Sequence, residues 1–381
     1  MFSNQRNVLN LNAHVIPPEN TIQFPVLTTP ESFGGYSLSP LGFLENHMRG
    51  MRYIVVPSAQ NFPLNLRDSD HIKTAKLSER HLDNLLEFIV QSSPQSNFLR
   101  ASNMRMHVNA DIVCTSEVLE LMMRAPYEHK AGWTLAVTRF RNTTYICRVA
   151  STQAEDAFEE HNLKRIMQEA RLRKLHQYCL SENGLVMPDK ILLCEEHNRF
   201  NGVFSIYMNG LRVLFDSPVL AEMNPNQFNG PGHMWSELQL RQDNMNRLEW
   251  AEHNRTEALK WWCKCFLLNI QNFFVAYQNE NAYVHTIQKT SLNELWKACE
   301  NEWRTSVCAN FMVCLLGCIT QIMAHIDCFG TVYLFDFDAK LGEVAYEVFE
   351  GLDNEHSFLG DWFRIHLDER LEDMPEPMNL Y

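Results

Sequence analysis

The sequence predicts an α+β fold, a single domain of mixed, twisted β-sheets flanked by helices. Three observations predict it. Strand-like and helix-like segments are interleaved without strict alternation. Alternating apolar segments are joined by short turn signals, above all Asn209-Gly210. And a chain of 381 residues, 45% hydrophobic and 21% charged, has enough apolar surface to fold without staples.

The elements follow in order. Residues 1–50 are rich in Pro, Gly and Asn and read as an extended N-terminal arm packed on the domain of residues 51–381. Arg52 to Val56 reads as a first strand. Leu82, Leu85, Leu86 and Ile89 recur at helical spacing and predict a helix over 78–92. Residues 94–112 show no clear period and read as loose. Trp133 to Phe140 and Tyr145 to Val149, separated by a turn at Asn142, read as a hairpin. A long helix is expected over 157–180, with an apolar stripe at Leu163, Ile166, Met167, Ala170, Leu175, Tyr178 and Cys179. Val203 to Met208 and Leu211 to Phe215 flank Asn209-Gly210, which tolerates positive φ at both central positions of a two-residue turn. Val219 to Met223 and Met234 to Leu240 read as strands, and 247–268 as a helix. Phe273 to Tyr277 and Tyr283 to Ile287 read as a strand pair. Ser291 with Glu294 forms a capping box that starts a helix reaching about Trp303. An apolar helix over 307–326 and strands over 332–337 and 344–349 complete the domain.

Charge and cysteine content narrow the function. The formal net charge of -13 disfavours a general nucleic-acid coat, although a locally basic cleft escapes that argument. The 11 cysteines lack Cys-x-x-Cys spacing and read as free thiols in a reducing compartment rather than a disulfide framework or zinc site. Met1 to Pro17 shows no basic start followed by an apolar run, so no signal peptide is expected. The run Val307 to Ile326 contains Asn310, Thr320, Gln321 and His325. It reads as a core helix, and no membrane partner is expected.

Two strand segments place carboxylates in apolar settings: Ala221-Glu222-Met223-Asn224 and Ser236-Glu237-Leu238-Gln239. Residues two apart on a strand face one side, so Glu222 pairs with Asn224 and Glu237 with Gln239. Carboxylates converging from neighbouring strands can hold divalent cations that activate water for phosphodiester cleavage. Alone, the signal is weak, because a strand Glu is ordinarily a solvated outer-face residue.

A wider pattern adds to it. Phe24-Pro25, Pro30-Glu31, Arg52-Tyr53, Leu66-Arg67-Asp68, Pro126-Tyr127-Glu128, Gly132-Trp133 and Gln177-Tyr178 come first. The Glu222 and Glu237 strands follow, then Leu259-Lys260-Trp261-Trp262 and Ser306-Val307-Cys308 with Asn310-Phe311. In this order and spacing they resemble the DXO-like decapping exoribonuclease family over most of the chain. The resemblance implies a nuclease-type core. Active members of that family use divalent metal to remove incomplete or noncanonical 5′ caps, to release pyrophosphate from 5′-triphosphate RNA, or to degrade RNA from its 5′ end. It also implies an early-helix Arg, a Gly-led helical motif ending in Glu, a strand with Glu, an apolar residue and Asp, and a strand with Glu, an apolar residue and Lys.

This sequence departs from that pattern. The Arg position falls at Ser116, and the Gly and Glu of the helical motif fall at Leu172 and His176. Glu222 is kept but Asn224 replaces Asp; Glu237 is kept but Gln239 replaces Lys. Mg²⁺ relies on anionic oxygens, Asn224 offers a neutral one, and the nitrogen of His176 suits softer metals. Loss of the Lys removes a cation that would act on the scissile phosphate. The expectation is therefore a catalytically inactive homologue. It needs no cofactor, Mg or Mn mattering only if residual activity survives through Glu222 and Glu237. Within the family, this loss resembles a degenerate germline member tied to nuclear piRNA-precursor transcripts. That implies a nuclear, non-enzymatic protein that binds nascent or uncapped RNA 5′ ends, or docks with protein partners in a chromatin-associated complex at small-RNA source loci. The alternatives are a residual 5′-end pyrophosphohydrolase and a protein scaffold that binds no RNA.

The bland readings stand beside these. Glu222 and Glu237 are equally readable as partly buried side chains satisfied by neighbours. His176 is more simply a packed or solvated helix residue. Lys164, Arg165, Arg171, Arg173 and Lys174 form a basic helix face, readable as an RNA-backbone contact or as a solvated face balanced by Glu159, Glu160 and Glu169. Trp261, Trp262, Phe273 and Phe274 can stack on bases, but their spacing fits core positions better.

Overall fold

Period-2 alternation in the central strands separates two hydrophobic cores, and this organises the molecule. The computed structural model describes residues 6–18, 21–39, 41–67, 82–102, 105–150, 159–184, 199–223, 234–351 and 354–368. Its main sheet has ten strands, in the order Asn7–Asn12, Glu343–Glu350, Cys328–Asp338, Trp133–Phe140, Thr143–Val149, Ile112–Thr115, Leu211–Val219, Arg199–Met208, Glu31–Leu38 and Leu44–Glu45. Ile112–Thr115 runs parallel to both of its neighbours, and the other pairings are antiparallel, so the sheet is mixed.

Leu135, Val137, Val213 and Phe215 face one core, shared with the helices Ser116–Arg124, Glu257–Leu267 and Thr305–Met323. Their neighbours Ala136 and Leu214 face the other, covered by the helices Asp83–Ser96 and Asp361–Asp368. A third core, with Ile54, Leu175, Cys179, Ala221, Leu238 and Ala276, lies where the helix Glu159–Cys179 packs on two smaller sheets. Those four-stranded sheets run Leu180–Ser181, Tyr53–Ile54, Ala221–Met223, Trp235–Ser236 and Leu238–Gln242, Asn272–Gln278, Tyr283–Ser291, Leu64–Asn65. The α+β architecture follows.

Both hairpins form, and the Asn209-Gly210 turn does so for the expected reason. Asn209 and Gly210 have φ of 50° and 88°, and Arg141 and Asn142 have 53° and 62°. The Ser291–Glu294 capping box is present, but its helix stops at Ala298 rather than near Trp303.

Several expectations need correction. Residues 94–112 are not loose: the strands Leu99–Ser102 and Arg105–Val108 pair with each other, and Ile112–Thr115 enters the main sheet. Burial of Met106, Val108, Ile112 and Val113 by other parts of the chain supplies what local period does not. The helix expected over 247–268 is two helices, Arg247–Arg255 and Glu257–Leu267, divided at Thr256. The first opens on a capping box of Asn246 and Glu249. The strand expected over 234–240 is split between the two small sheets at Glu237. In the helix Glu159–Cys179 the stripe residues Ala170, Leu175 and Cys179 are buried and Tyr178 is partly buried, whereas Ile166 is 50% and Met167 44% exposed. The N-terminal residues expected as an arm are woven into the main sheet, with Asn7–Asn12 at one edge and Glu31–Leu38 and Leu44–Glu45 at the other. Asn224, and the part of the helix expected at 78–81, lie outside the described residues.

Candidate functional site

Glu237 sits at the point where the chain leaves one small sheet and enters the other. Trp235–Ser236 pairs with Ala221–Met223, and Leu238–Gln242 pairs with Asn272–Gln278. At this switch the Glu237 carbonyl still accepts from the Phe274 N–H at 2.8 Å, so the backbone is satisfied while the side chain turns inward. The side chain is only 2% exposed.

A carboxylate buried this deeply requires partners. Lys264 Nζ, on the helix Glu257–Leu267, lies 2.8 Å from Glu237 Oε1. The Gln239 Nε2 amide donates to Glu237 Oε2 at 3.3 Å. Both oxygens are engaged, and the same-side geometry expected for Glu237 and Gln239 is realised. Burial alone would pull the Lys264 ammonium down. The Glu237 carboxylate, with a smaller contribution from Glu120, outweighs it and holds Lys264 above its ordinary value. Burial pushes Glu120 up to about 7, against the pull of Lys264 and Arg124 and with added repulsion from Glu237.

The neighbouring elements close around this cluster. His176 Nε2–H donates to the Leu238 carbonyl at 3.4 Å, which fixes its tautomer. Burial pushes His176 down to about 4; that hydrogen bond opposes the shift, and Lys264 and Arg173 add to it. His176 is therefore neutral at pH 7 and tied to backbone. Ser116 opens the helix Ser116–Arg124, one turn before Glu120, and its hydroxyl donates to Ser217 Oγ at 2.9 Å. It is 3% exposed and is spent on joining that helix to the main sheet.

The structure thus brings His176, Glu237 and Gln239 together and keeps Ser116 on the adjoining helix. Glu222 is placed differently. It is registered opposite Trp235 and beside Tyr53, and its charge, after burial, raises the Tyr53 phenol. Glu237 and, more weakly, Glu120 are the carboxylates that raise Lys264.

Sequence reasoning missed Lys264 and Glu120. A signal existed for each. Lys264 is the lone cation in Trp261-Trp262-Cys263-Lys264-Cys265, where all its neighbours are buried, and Glu120 interrupts the apolar Val118-Leu119 and Leu121-Met122. A charge at a core position implies a buried partner.

The donor set does not fit a divalent cation. Mg²⁺ or Mn²⁺ needs several anionic oxygens with free lone pairs, whereas Glu237 already accepts from an ammonium and an amide. Among the described residues, no three His, Cys, Asp or Glu side chains converge to hold a metal ion.

The basic face divides along its helix. Lys164 and Arg165 are exposed, whereas Arg171, Arg173 and Lys174 are partly buried, with Lys174 over the Tyr178 ring at 5.8 Å. Trp261, Trp262 and Phe273 are core residues: Trp262 stacks on Phe266, and Trp261 meets Phe273 edge-on. They are not available for base stacking. The described cysteines are all free thiols. The helix Thr305–Met323 is long and apolar enough to cross a membrane, but half of it is buried, and it packs on the helix Ser116–Arg124 as a core element.

Comparison with known proteins agrees with this architecture. Residues 28–364 match the model of the RAI1 like PD-(D/E)XK nuclease family. The chain is 50% identical to Protein cutoff of Drosophila melanogaster, over 98% of this chain and 97% of that protein. It is 26% identical to the decapping and exoribonuclease protein of Bos taurus, over 98% of this chain and 94% of that one. Among solved structures, Scheffersomyces stipitis Rai1 in complex with (3'-NADP)+ and calcium ion superposes with a TM-score of 0.75 at 11% identity, covering 96% of this chain and 98% of that one. Candida albicans Rai1 in complex with pU5-Mn2+ gives a TM-score of 0.73 at 11% identity, covering 95% and 99%. The chain belongs to the RAI1 like PD-(D/E)XK nuclease family.

Proposed function

We propose that this chain is a non-enzymatic member of its family, one that binds or protects nascent or uncapped RNA 5′ ends as a component of a nuclear piRNA-precursor transcription complex. The observation that carries the proposal is the commitment of Glu237 to Lys264 and Gln239. Glu237 is the position at which the family resemblance expects a metal carboxylate, and here its charge is paired with the Lys264 ammonium while no three His, Cys, Asp or Glu side chains among the described residues converge beside it. With Ser116, His176 and Gln239 also spent on structural contacts, no described side chain is poised to activate water.

The RNA part of the proposal rests on two supports. A Rai1 relative of the same fold has been solved with pU5-Mn2+. Lys164 and Arg165 present positive charge on the exposed half of the helix Glu159–Cys179. The transcriptional role and nuclear residence are part of the proposal through the family resemblance, and the 50% identity to Protein cutoff supports the family membership on which that resemblance rests.

The test measures binding and turnover by the purified chain of 5′-monophosphate, 5′-triphosphate and capped RNAs, with and without Mg²⁺ or Mn²⁺, at fixed salt. Binding without hydrolysis is expected. Hydrolysis that disappears in Glu222→Ala, Glu237→Ala variants makes the chain a residual 5′-end hydrolase. Neither binding nor hydrolysis makes it a protein scaffold.

A further inference from the structure

We infer that the outward face of the hairpin formed by Leu99–Ser102 and Arg105–Val108 is a contact for the phosphodiester backbone of RNA, made through Arg100 and Arg105. The inference rests on the RNA-binding reading above and deepens it. It adds a surface on the side of the main sheet away from Glu237.

Strand register fixes which side chains share that face. Arg100 is paired across the hairpin with His107, and residues directly opposite in an antiparallel pair project to the same side. Arg105 is two residues from His107 on its own strand and joins them. The alternate residues Met106 and Val108 are buried in the core that holds Leu85, Phe98 and Leu359. They fasten this two-stranded ribbon to the domain, beside the helices Asp83–Ser96 and Asp361–Asp368. Both arginines are left exposed. The ribbon belongs to the core on the Ala136 and Leu214 face of the main sheet, whereas the helix that carries Lys264 packs on the Leu135 and Val213 face.

The charges on the ribbon have no internal partner. Among the described residues, neither Arg100 nor Arg105 makes a hydrogen bond or an ion pair. The groups they act on are cationic as well. After burial, Arg100 is what lowers the His107 imidazole, and Arg105 is what lowers the Arg141 guanidinium. Arg141 is compensated by Asp368. Arg100 and Arg105 are not.

An external anion would supply what the fold does not. The chain carries a net charge of -13 and repels RNA at long range, so a backbone contact has to be made where positive charge stands clear of carboxylates. Each guanidinium offers a planar fork of donors that matches phosphate oxygens. His107, neutral at pH 7, adds a ring nitrogen that can donate a hydrogen bond.

The experiment measures affinity of the full chain for a single-stranded 5′-monophosphate oligoribonucleotide as a function of salt. It uses the wild type, Arg100→Gln/Arg105→Gln and a control, Lys289→Gln/Lys297→Gln, which removes two exposed positive charges from elsewhere on the surface. Loss of two backbone contacts is expected to lower the slope of log affinity against log salt by about 1.4, at about 0.7 per contact. The control is expected to keep the wild-type slope. A second readout needs no variant. In the wild type, RNA seated beside Arg100 is expected to raise the His107 titration midpoint, followed by NMR.

The inference is overturned if Arg100→Gln/Arg105→Gln keeps the wild-type slope or if the control loses as much, either of which would leave this face to an acidic protein segment. It is equally overturned if bound RNA does not move the His107 midpoint of the wild type. A wild type that binds RNA while giving any of these results removes this inference and leaves the RNA-binding reading intact. A wild type that binds no RNA removes both.

Discussion

Lys264 Nζ and Glu237 Oε1 form a 2.8 Å ion pair that joins a core helix to the crossover between two sheets. A buried pair of this kind is asymmetric in its energetics: keeping both partners gains little, but removing one leaves an uncompensated charge. Lys264→Ala is therefore expected to cost about 3 kcal/mol. The double variant Lys264→Met/Glu237→Gln should cost less than the sum of the single changes. Urea unfolding in a double-mutant cycle measures the coupling. Additive costs would mean that the pair is not formed.

Glu120 gives the fold a pH dependence of definite sign. Burial lifts its carboxyl to about 7 in the folded state, against an ordinary value near about 4.3 when unfolded. The folded chain holds that proton more tightly, so the contribution is complete below the unfolded value and is lost as pH rises through about 7. Glu120→Gln should flatten the fall in Tm between pH 5 and pH 8 relative to the wild type. An unchanged slope would place the proton elsewhere.

Histidine protonation acts in the opposite direction. Burial pushes both His176 and His253 down to about 4. The unfolded chain takes up these protons first as pH falls, so their contribution is complete above about 6.5 and is lost toward pH 4. In an NMR titration the His176 ring should show no midpoint between pH 8 and pH 5.5. A midpoint near 6.5 would show a solvated ring without the Leu238 contact.

The exposed half of the basic helix is the place to test RNA contact without disturbing the fold. Lys164→Glu/Arg165→Glu replaces two exposed side chains, and the Tm of the variant is measured alongside as the control for folding. It should weaken RNA binding and lower the slope of log affinity against log salt by about 2. Equal affinities and slopes for variant and wild type would move the RNA contact off this helix.

Helix capping gives an independent check on the segment the sequence read as one continuous helix. Asn246 accepts from the Leu248 and Glu249 N–H groups at 2.9 and 3.1 Å, and Glu249 returns the bond to the Asn246 N–H. Asn246→Ala should lower stability by about 1 kcal/mol, read from urea unfolding. No loss would show that the cap contributes nothing to global stability.

What the sequence determined by itself is what local chemistry enforces. Asn209-Gly210 set its hairpin because both residues tolerate positive φ. Ser291 and Glu294 set a helix start because their side chains bond each other's backbone. Alternation along Trp133–Phe140 set a strand with two buried faces. The order of short motifs identified the family, and two-residue spacing put Glu237 and Gln239 on one side.

Only the tertiary structure decided what those side chains do. Leu99–Ser102, Arg105–Val108 and Ile112–Thr115 became strands because distant parts of the chain buried Met106, Val108 and Ile112. Ile166 and Met167 sit at helical core spacing yet remain exposed, and neither belongs to the third core that buries Leu175 and Cys179. Above all, Lys264 is 27 positions along the chain from Glu237, and Glu120 lies on yet another helix. No spacing rule links them. Their partnership arises from the free-energy cost of burying a charge, and that cost is set only when helix and sheet close over the carboxylate.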